Sequence, residues 1–467
     1  MNKNEKIIEK TFFNKKIITY AVATACVLAT FTAFFVIRKH DYYNKEHWVT
    51  IFIHGNFNTG LGMLSLTDVF KDNLNNTTYK KIIKKIRKDP FFYQEQPILQ
   101  KGLVKVEPSF DVSKIKNKFG VYPILSGYKK ILETIKPNKE ANHFYTYGWS
   151  GLMGQTERRR WAIRFYNALT EELKNYDKEG IKPKIRILAH SHGGNVSLNL
   201  ALINDITNNI SYEEKSDEAI ESLFKISEAV SKLPDKETSK TFKNQKKFDY
   251  KPSVQNLTID ELIIFGTPLQ AENVHCLESN VFKKIYNIYS DQDVVQKMDF
   301  ISTKQRTSKQ RLDFKNFKNQ NMVQAKIMVD KVLKVNEEKS SWWNKISFKN
   351  IFEDKTKDPT HKDLWFLAWN PDYCQPGFPL NPLPLVTIAP LILNAIEKIK
   401  FPDIDINLSF LSSHLEILIL RHDTKTVENK IRIPLSIIDE LKAQTLPWKP
   451  EDLTRENTFK KMYSQLS

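Results

Sequence analysis

Cysteine is scarce in this chain. Of 467 residues only Cys26, Cys276 and Cys374 are cysteines, and none has the Cys/His spacing of a structural zinc site. A disulfide framework is therefore excluded. Cys276 and Cys374 could pair in an oxidising compartment, but two separate thiols are the simpler reading. Acidic residues are also short, 54 against 71 Lys plus Arg, which leaves a net charge of +17. No zinc finger or base-stacking motif accompanies the basic residues, which are scattered along the chain, so nucleic acid is not the expected partner. An anionic membrane surface suits the excess better. There is no internal repeat.

One stretch lacks charge altogether. Ile17 to Ile37 is an uncharged run of 21 residues, flanked by Lys15-Lys16 and Arg38-Lys39, and is long enough to cross a bilayer as a helix. The apolar part of a cleaved signal peptide is usually shorter, about 7–15 residues, so an uncleaved anchor is favoured. Residues 1–16 carry five Lys, against Arg38, Lys39 and Lys45 on the other side. The positive-inside rule then puts the short tail in the cytoplasm and the large domain outside it, periplasmic or lumenal.

The chemistry is concentrated in Ile185-Arg186-Ile187-Leu188-Ala189-His190-Ser191-His192-Gly193-Gly194. An apolar strand runs into a serine with small residues two positions either side, Ala189 and Gly193, and an apolar helix-like run, Val196 to Ile203, follows. That is the context of a nucleophile elbow, a turn so tight that bulky neighbours would clash. It places the backbone N–H of His192 at a helix N-terminus, where it can stabilise an oxyanion.

Around this segment the chain reads as alternating strands and helices. Trp48 to Ile53 predicts a buried strand ending in His54-Gly55-Asn56-Phe57. His143 to Ser150 predicts a second. Trp161, Phe165, Leu169 and Leu173 recur every four residues as one apolar helix stripe, up to about Lys174. Glu261 to Phe265, Ile285 to Tyr289 and Ala325 to Val335 predict further strands, and alternation of this kind implies a parallel sheet covered on both faces. Residues 60–140 and 207–256 read as charged insertions, the first a cap or lid. The expected domains are a tail at 1–16, a transmembrane helix at 17–37, a catalytic domain at 47–400 and a β-rich extension at 401–467, which either prolongs the sheet or forms an appendage.

From about 48 to 365 the chain resembles a lipase or serine esterase of the α/β-hydrolase superfamily. The resemblance rests on the His54-Gly55 turn, the Trp149-Ser150-Gly151 turn with Arg158 to Arg160 opening the next helix, the Ala189 to Gly194 elbow, and Phe265-Gly266-Thr267-Pro268. Ala189 departs from the glycine of the family pattern, but is still small. The resemblance implies an α/β-hydrolase fold and a nucleophile, base and acid in the chain order Ser, Asp, His. Ser191 is then the nucleophile. The acid is Asp293, two residues before Val295 as in the family, with Asp291 as the alternative. The base is His361, on a polar loop after the last core strand. Its separation from Asp293 is longer than usual for the family, and His414 is the competitor. Backbone N–H groups of His192 and Asn56 would form the oxyanion hole, and Phe57 and Trp149 would line the acyl pocket. No metal or organic cofactor is implied. The expected activity is hydrolysis of carboxylic esters, with lipid or acyl esters favoured by the anchor. The same machinery could serve acyl transfer, an amide or a thioester, and a non-catalytic membrane-bound binding protein on this fold is the rival of another class. Oligomeric state is not legible.

Overall fold

The first strand, β1 (Glu46–Ile53), is buried from His47 onward. It is apolar on both faces because both faces are covered. The computed structural model describes residues 23–24, 26–28, 30–32, 42, 45–55, 101–108, 121–137, 139–151, 155–207, 257–270, 273–293, 296, 308–309, 311–312, 321–330, 358–361, 363–365, 385–411 and 413–445.

Nine further strands join β1 in a ten-stranded sheet. They are β2 (Gly102–Val106), β3 (Glu140–Gly148), β4 (Lys184–His190), β5 (Glu261–Phe265), β7 (Ile285–Tyr289), β9 (Met322–Val329), β10 (Asp403–Phe410), β11 (His414–Arg421) and β12 (Val427–Pro434). The spatial order is β12-β11-β10-β9-β7-β5-β4-β1-β3-β2, and a separate two-stranded sheet pairs β6 (Leu269–Gln270) with β8 (Ser308–Lys309). Pairing is parallel from β3 through β10 and antiparallel for β2 with β3, β10 with β11, and β11 with β12. The fold is thus α/β, with a mostly parallel mixed sheet.

Pleating sends alternate side chains to two cores. Phe52, Phe144, Leu188 and Ile263 pack with Ile124, Leu125 and Tyr128 of α1 (Val121–Ile135), with α4 (Ala389–Ile396), and with Ile438 and Leu441 of α5 (Leu435–Thr445). Val49, Ile51, Ile187 and Ile264 pack with α2 (Gln155–Lys178) and α3 (His192–Thr207).

Three sequence expectations change. The insertion expected at 60–140 is narrower, because β2 and α1 lie within it and belong to the sheet and its cover. In α1 the apolar positions Ile124, Leu125, Tyr128, Ile131 and Leu132 do follow a helical period. Pro123 reads as an interruption, yet falls in the first turn, where the missing N–H costs nothing. The strand expected at 325–335 is Met322–Val329. Strands β10 to β12 prolong the sheet rather than forming an appendage. The bulk of 60–140, and 208–256, lie outside the described residues. So does much of 17–37. Among the described residues no helix is long and apolar enough to cross a membrane. Those described within 17–37 are helical, with Val27, Leu28 and Phe31 exposed.

The strand order fixes where a site can form. From β1 the chain moves to β3 on one side, then returns to place β4 on the other side and continues away through β5, β7 and β9. Connections therefore leave β1 and β4 in opposite directions. The crevice outside the carboxyl ends of two such strands is where open α/β sheets place their ligands.

Candidate active site

At that crevice β4 ends in His190 and Ser191 turns the chain into α3. Ser191 has φ 52, one of two non-glycine residues with positive φ among the described residues. A non-glycine residue held there stores about 1–3 kcal/mol and persists only where its surroundings dictate it. Here the Ser191 N–H donates to the Phe265 carbonyl at 2.9 Å. The Ser191 carbonyl accepts the Gly194 N–H at 3.0 Å and the Thr267 hydroxyl at 2.9 Å. Close approach does the rest. A Cβ on Gly55 would stand 2.6 Å from the Ser191 Cβ; one on Gly193 would collide with the His54 carbonyl, and one on Gly194 with the Thr267 side chain.

Asp293 follows β7 and is fully buried. Its Oδ2 lies 2.8 Å from His361 Nδ1, and its Oδ1 accepts the Gln296 N–H at 2.9 Å. With Nδ1 committed to the carboxylate, Nε2 is the nitrogen of His361 that can take up a proton. The pair closes over Gly266, whose φ of +56 turns the chain at the end of β5. A Cβ there would lie 2.7 Å from Asp293 Oδ2 and 3.1 Å from His361 Nδ1. The carbonyl of Thr360 receives the Leu364 N–H at 3.2 Å, and Asp363 accepts the Thr360 N–H at 2.9 Å, which shapes the loop presenting His361.

The structure also brings in His190, the residue before Ser191. Its Nε2–H donates to the His361 carbonyl at 3.0 Å, and its ring stacks on Trp365 with centroids 5.6 Å apart. It therefore ties the strand that carries Ser191 to the loop that carries His361. Burial, reinforced by the neighbouring His361, holds the His190 ring neutral well below its ordinary pKa. At the opposite edge of the sheet burial lowers His143 to about 4. In the unfolded chain both rings would bind a proton near pH 6.5. Below that pH the unfolded state takes up more protons, so stability is complete above about pH 6.5 and falls as pH drops. The slope approaches about 1.4 kcal/mol per pH unit for a fully buried ring such as His190. Denaturant midpoints recorded from pH 8 to pH 5 are expected to fall below pH 6.5, and less steeply for His190→Gln. An equal slope in that variant would refute the assignment.

Beyond Ser191, His192 opens α3. Its Nδ1 accepts from Arg158 Nη1 at 3.0 Å and from Asn195 Nδ2 at 3.1 Å, which puts the ring proton on Nε2. Arg158, wholly buried, also donates to Gln270 at 2.8 Å, and Asn273 donates to Asn195 at 2.6 Å. The backbone N–H of His192 is therefore presented from a heavily braced turn. Asn56 and Phe57 lie outside the described residues. Trp149 is fully buried: its indole N–H donates to the His54 carbonyl at 2.7 Å and its backbone N–H to His54 Nε2 at 3.1 Å. It braces the turn after β1.

The competing residues sit elsewhere. Asp291 is half exposed and pairs with Lys326. His414 opens β11, five strand spacings from β4, or about 24 Å at ~4.8 Å each. His422 pairs with Asp405 at the far edge of the sheet, at 2.6 Å. Cys276 is buried, its sulfur 3.7 Å from His275 Nε2, and Cys374 is outside the described residues. Among the described residues no cluster of His, Cys, Asp and Glu could hold a metal ion. No protein-family model matches the chain, and no curated protein or solved structure is significantly similar to it.

Proposed function

We propose that this protein is a serine hydrolase of the α/β-hydrolase type, cleaving carboxylic esters and held to a membrane by residues 17–37. The observation that carries the reading is that Ser191, at a positive-φ turn, and the 2.8 Å His361–Asp293 pair both stand at the carboxyl ends of the strands, with the His361 ring 4.5 Å from that of His190, the residue before Ser191. They occur in the chain order Ser, Asp, His.

A serine hydroxyl is a weak nucleophile at neutral pH and needs a base to take its proton. In this reading His361 Nε2 takes the Ser191 proton as Oγ attacks the ester carbonyl. The tetrahedral oxyanion is met by the backbone N–H of His192, with that of Asn56 as the second donor. Collapse breaks the bond to the alkoxide, which leaves as the alcohol with the proton from His361. His361 next takes a proton from water, the hydroxide attacks the acyl-Ser191 carbonyl, and the acid departs as Ser191 regains its proton. Asp293 holds the imidazole with Nδ1 protonated and stabilises the imidazolium that forms.

Treatment with a fluorophosphonate, followed by peptide mass mapping, tests the reading directly. The expected adduct is on Ser191. A folded protein that carries no adduct there would sink the hydrolase reading and return the binding-protein reading to the front.

A further inference from the structure

The point where the chain enters β1 and the crevice are at opposite ends of the parallel strands. Ser191, Gly266, Asp293 and the His54-Gly55 turn all follow the carboxyl ends of strands. The chain coming from the apolar run enters β1 at its amino end.

That entry is pinned. The Tyr42 carbonyl accepts from His47 Nε2 at 2.9 Å, and the Tyr42 ring stands edge-on to His47, with centroids 4.6 Å apart. His47 stacks in turn on His143 at 5.4 Å, with ring nitrogens 3.1 Å apart. His143 packs edge-on to Tyr176 of α2. Tyr42 is thus part of the amino-end surface of the domain, and only residues 38–41 separate it from Ile37, the last residue of the apolar run.

Two lengths decide the geometry. Five Cα steps from Ile37 to Tyr42 span at most about 18 Å when fully extended. The eight residues of β1 separate the Tyr42 edge from the crevice by about 26 Å at ~3.3 Å per residue. The tether is shorter than β1 is long, so the domain cannot stand inverted over the bilayer while Tyr42 stays docked; set upright on its tether, it holds Ser191 at the end away from the anchor. We infer that the crevice faces away from the bilayer that holds the anchor, and that its substrate is a water-soluble ester delivered from the aqueous phase rather than a lipid of the anchoring leaflet. This inference rests on the membrane-anchored hydrolase reading and replaces the lipid preference drawn from location alone.

The test uses the full chain in phospholipid vesicles and two fluorophosphonates with the same warhead. One is water-soluble; the other is joined directly to a phospholipid headgroup in the same bilayer. The soluble probe is expected to modify Ser191, and the embedded probe to react about ten-fold more slowly or worse, because a tether too short to span gives an effective concentration near zero. Inserting about twenty Gly/Ser residues after His40, with an r.m.s. reach of about 25 Å, is expected to raise labelling by the embedded probe. Equal rates for the two probes on the unmodified chain would overturn the orientation while leaving the hydrolase reading intact. No labelling by either probe, in vesicles or in detergent, would remove the hydrolase reading and the inference with it.

Discussion

Replacing Ser191 with alanine is expected to lower kcat for a soluble ester by about 10⁶, and His361→Ala by a similar factor. The double variant should lose no more than either alone, because the two residues act as one unit: without the base the hydroxyl is inert, and without the hydroxyl the base has nothing to activate. Some rate above the uncatalysed reaction, about 10³-fold, should survive in all three through the backbone donors and binding. The elbow carries its strain in the backbone, so Ser191→Ala should fold normally. Losses that simply multiplied in the double variant would mean that His361 does not serve Ser191, and would direct the search to another base.

Asp293→Asn is the second large effect. The substitution is nearly isosteric, so the Gln296 N–H keeps an oxygen acceptor at the site. What changes is the hydrogen on the imidazole. Opposite an amide N–H, His361 Nδ1 must accept, and the ring proton moves to Nε2, the nitrogen that has to take the Ser191 proton. A fall in kcat of about 10⁴ with an unaltered circular dichroism spectrum is expected for this wrong tautomer. An Asp293→Asn enzyme within tenfold of wild type would show that the carboxylate is a structural buried acceptor only. Asp291→Asn is the control: its carboxylate faces solvent and Lys326, and kcat should not move.

Much of this arrangement was legible in the chain. The parallel strands announce themselves because burial on both faces demands apolar runs, as in Leu262 to Phe265. The Ser191 turn was legible because its steric demands fall on fixed neighbours, Ala189 and Gly193. A strand end pointed to Asp291 and Asp293, and the resemblance, through Val295 two residues on, chose Asp293. What was not legible depends on contacts across the fold. The bond from His190 to the His361 carbonyl joins residues 171 apart, and no local pattern records it. The bonds from Trp149 to His54 join residues 95 apart, and its sequence position says nothing of them. Helix α1 was hidden by Lys129, Lys130 and Pro123, whose polarity or ring says loop until Ile124, Leu125 and Tyr128 between them are seen to share a core with Ile388 and Leu441. The strands after 400 were legible as strands. That they continue the main sheet follows from the register of β10 on β9.

The seam of glycines at Gly55, Gly193 and Gly194 has a consequence for control. Three polypeptide segments meet there at distances that exclude even a methyl group, so the backbone around Ser191 has no slack. On the hydrolase reading the turn itself is a poor place for a switch: control would fall on arrival and departure at the mouth, and a small molecule meant to silence the centre would do better to plug the entrance or react with the hydroxyl than to coax the turn into an idle shape.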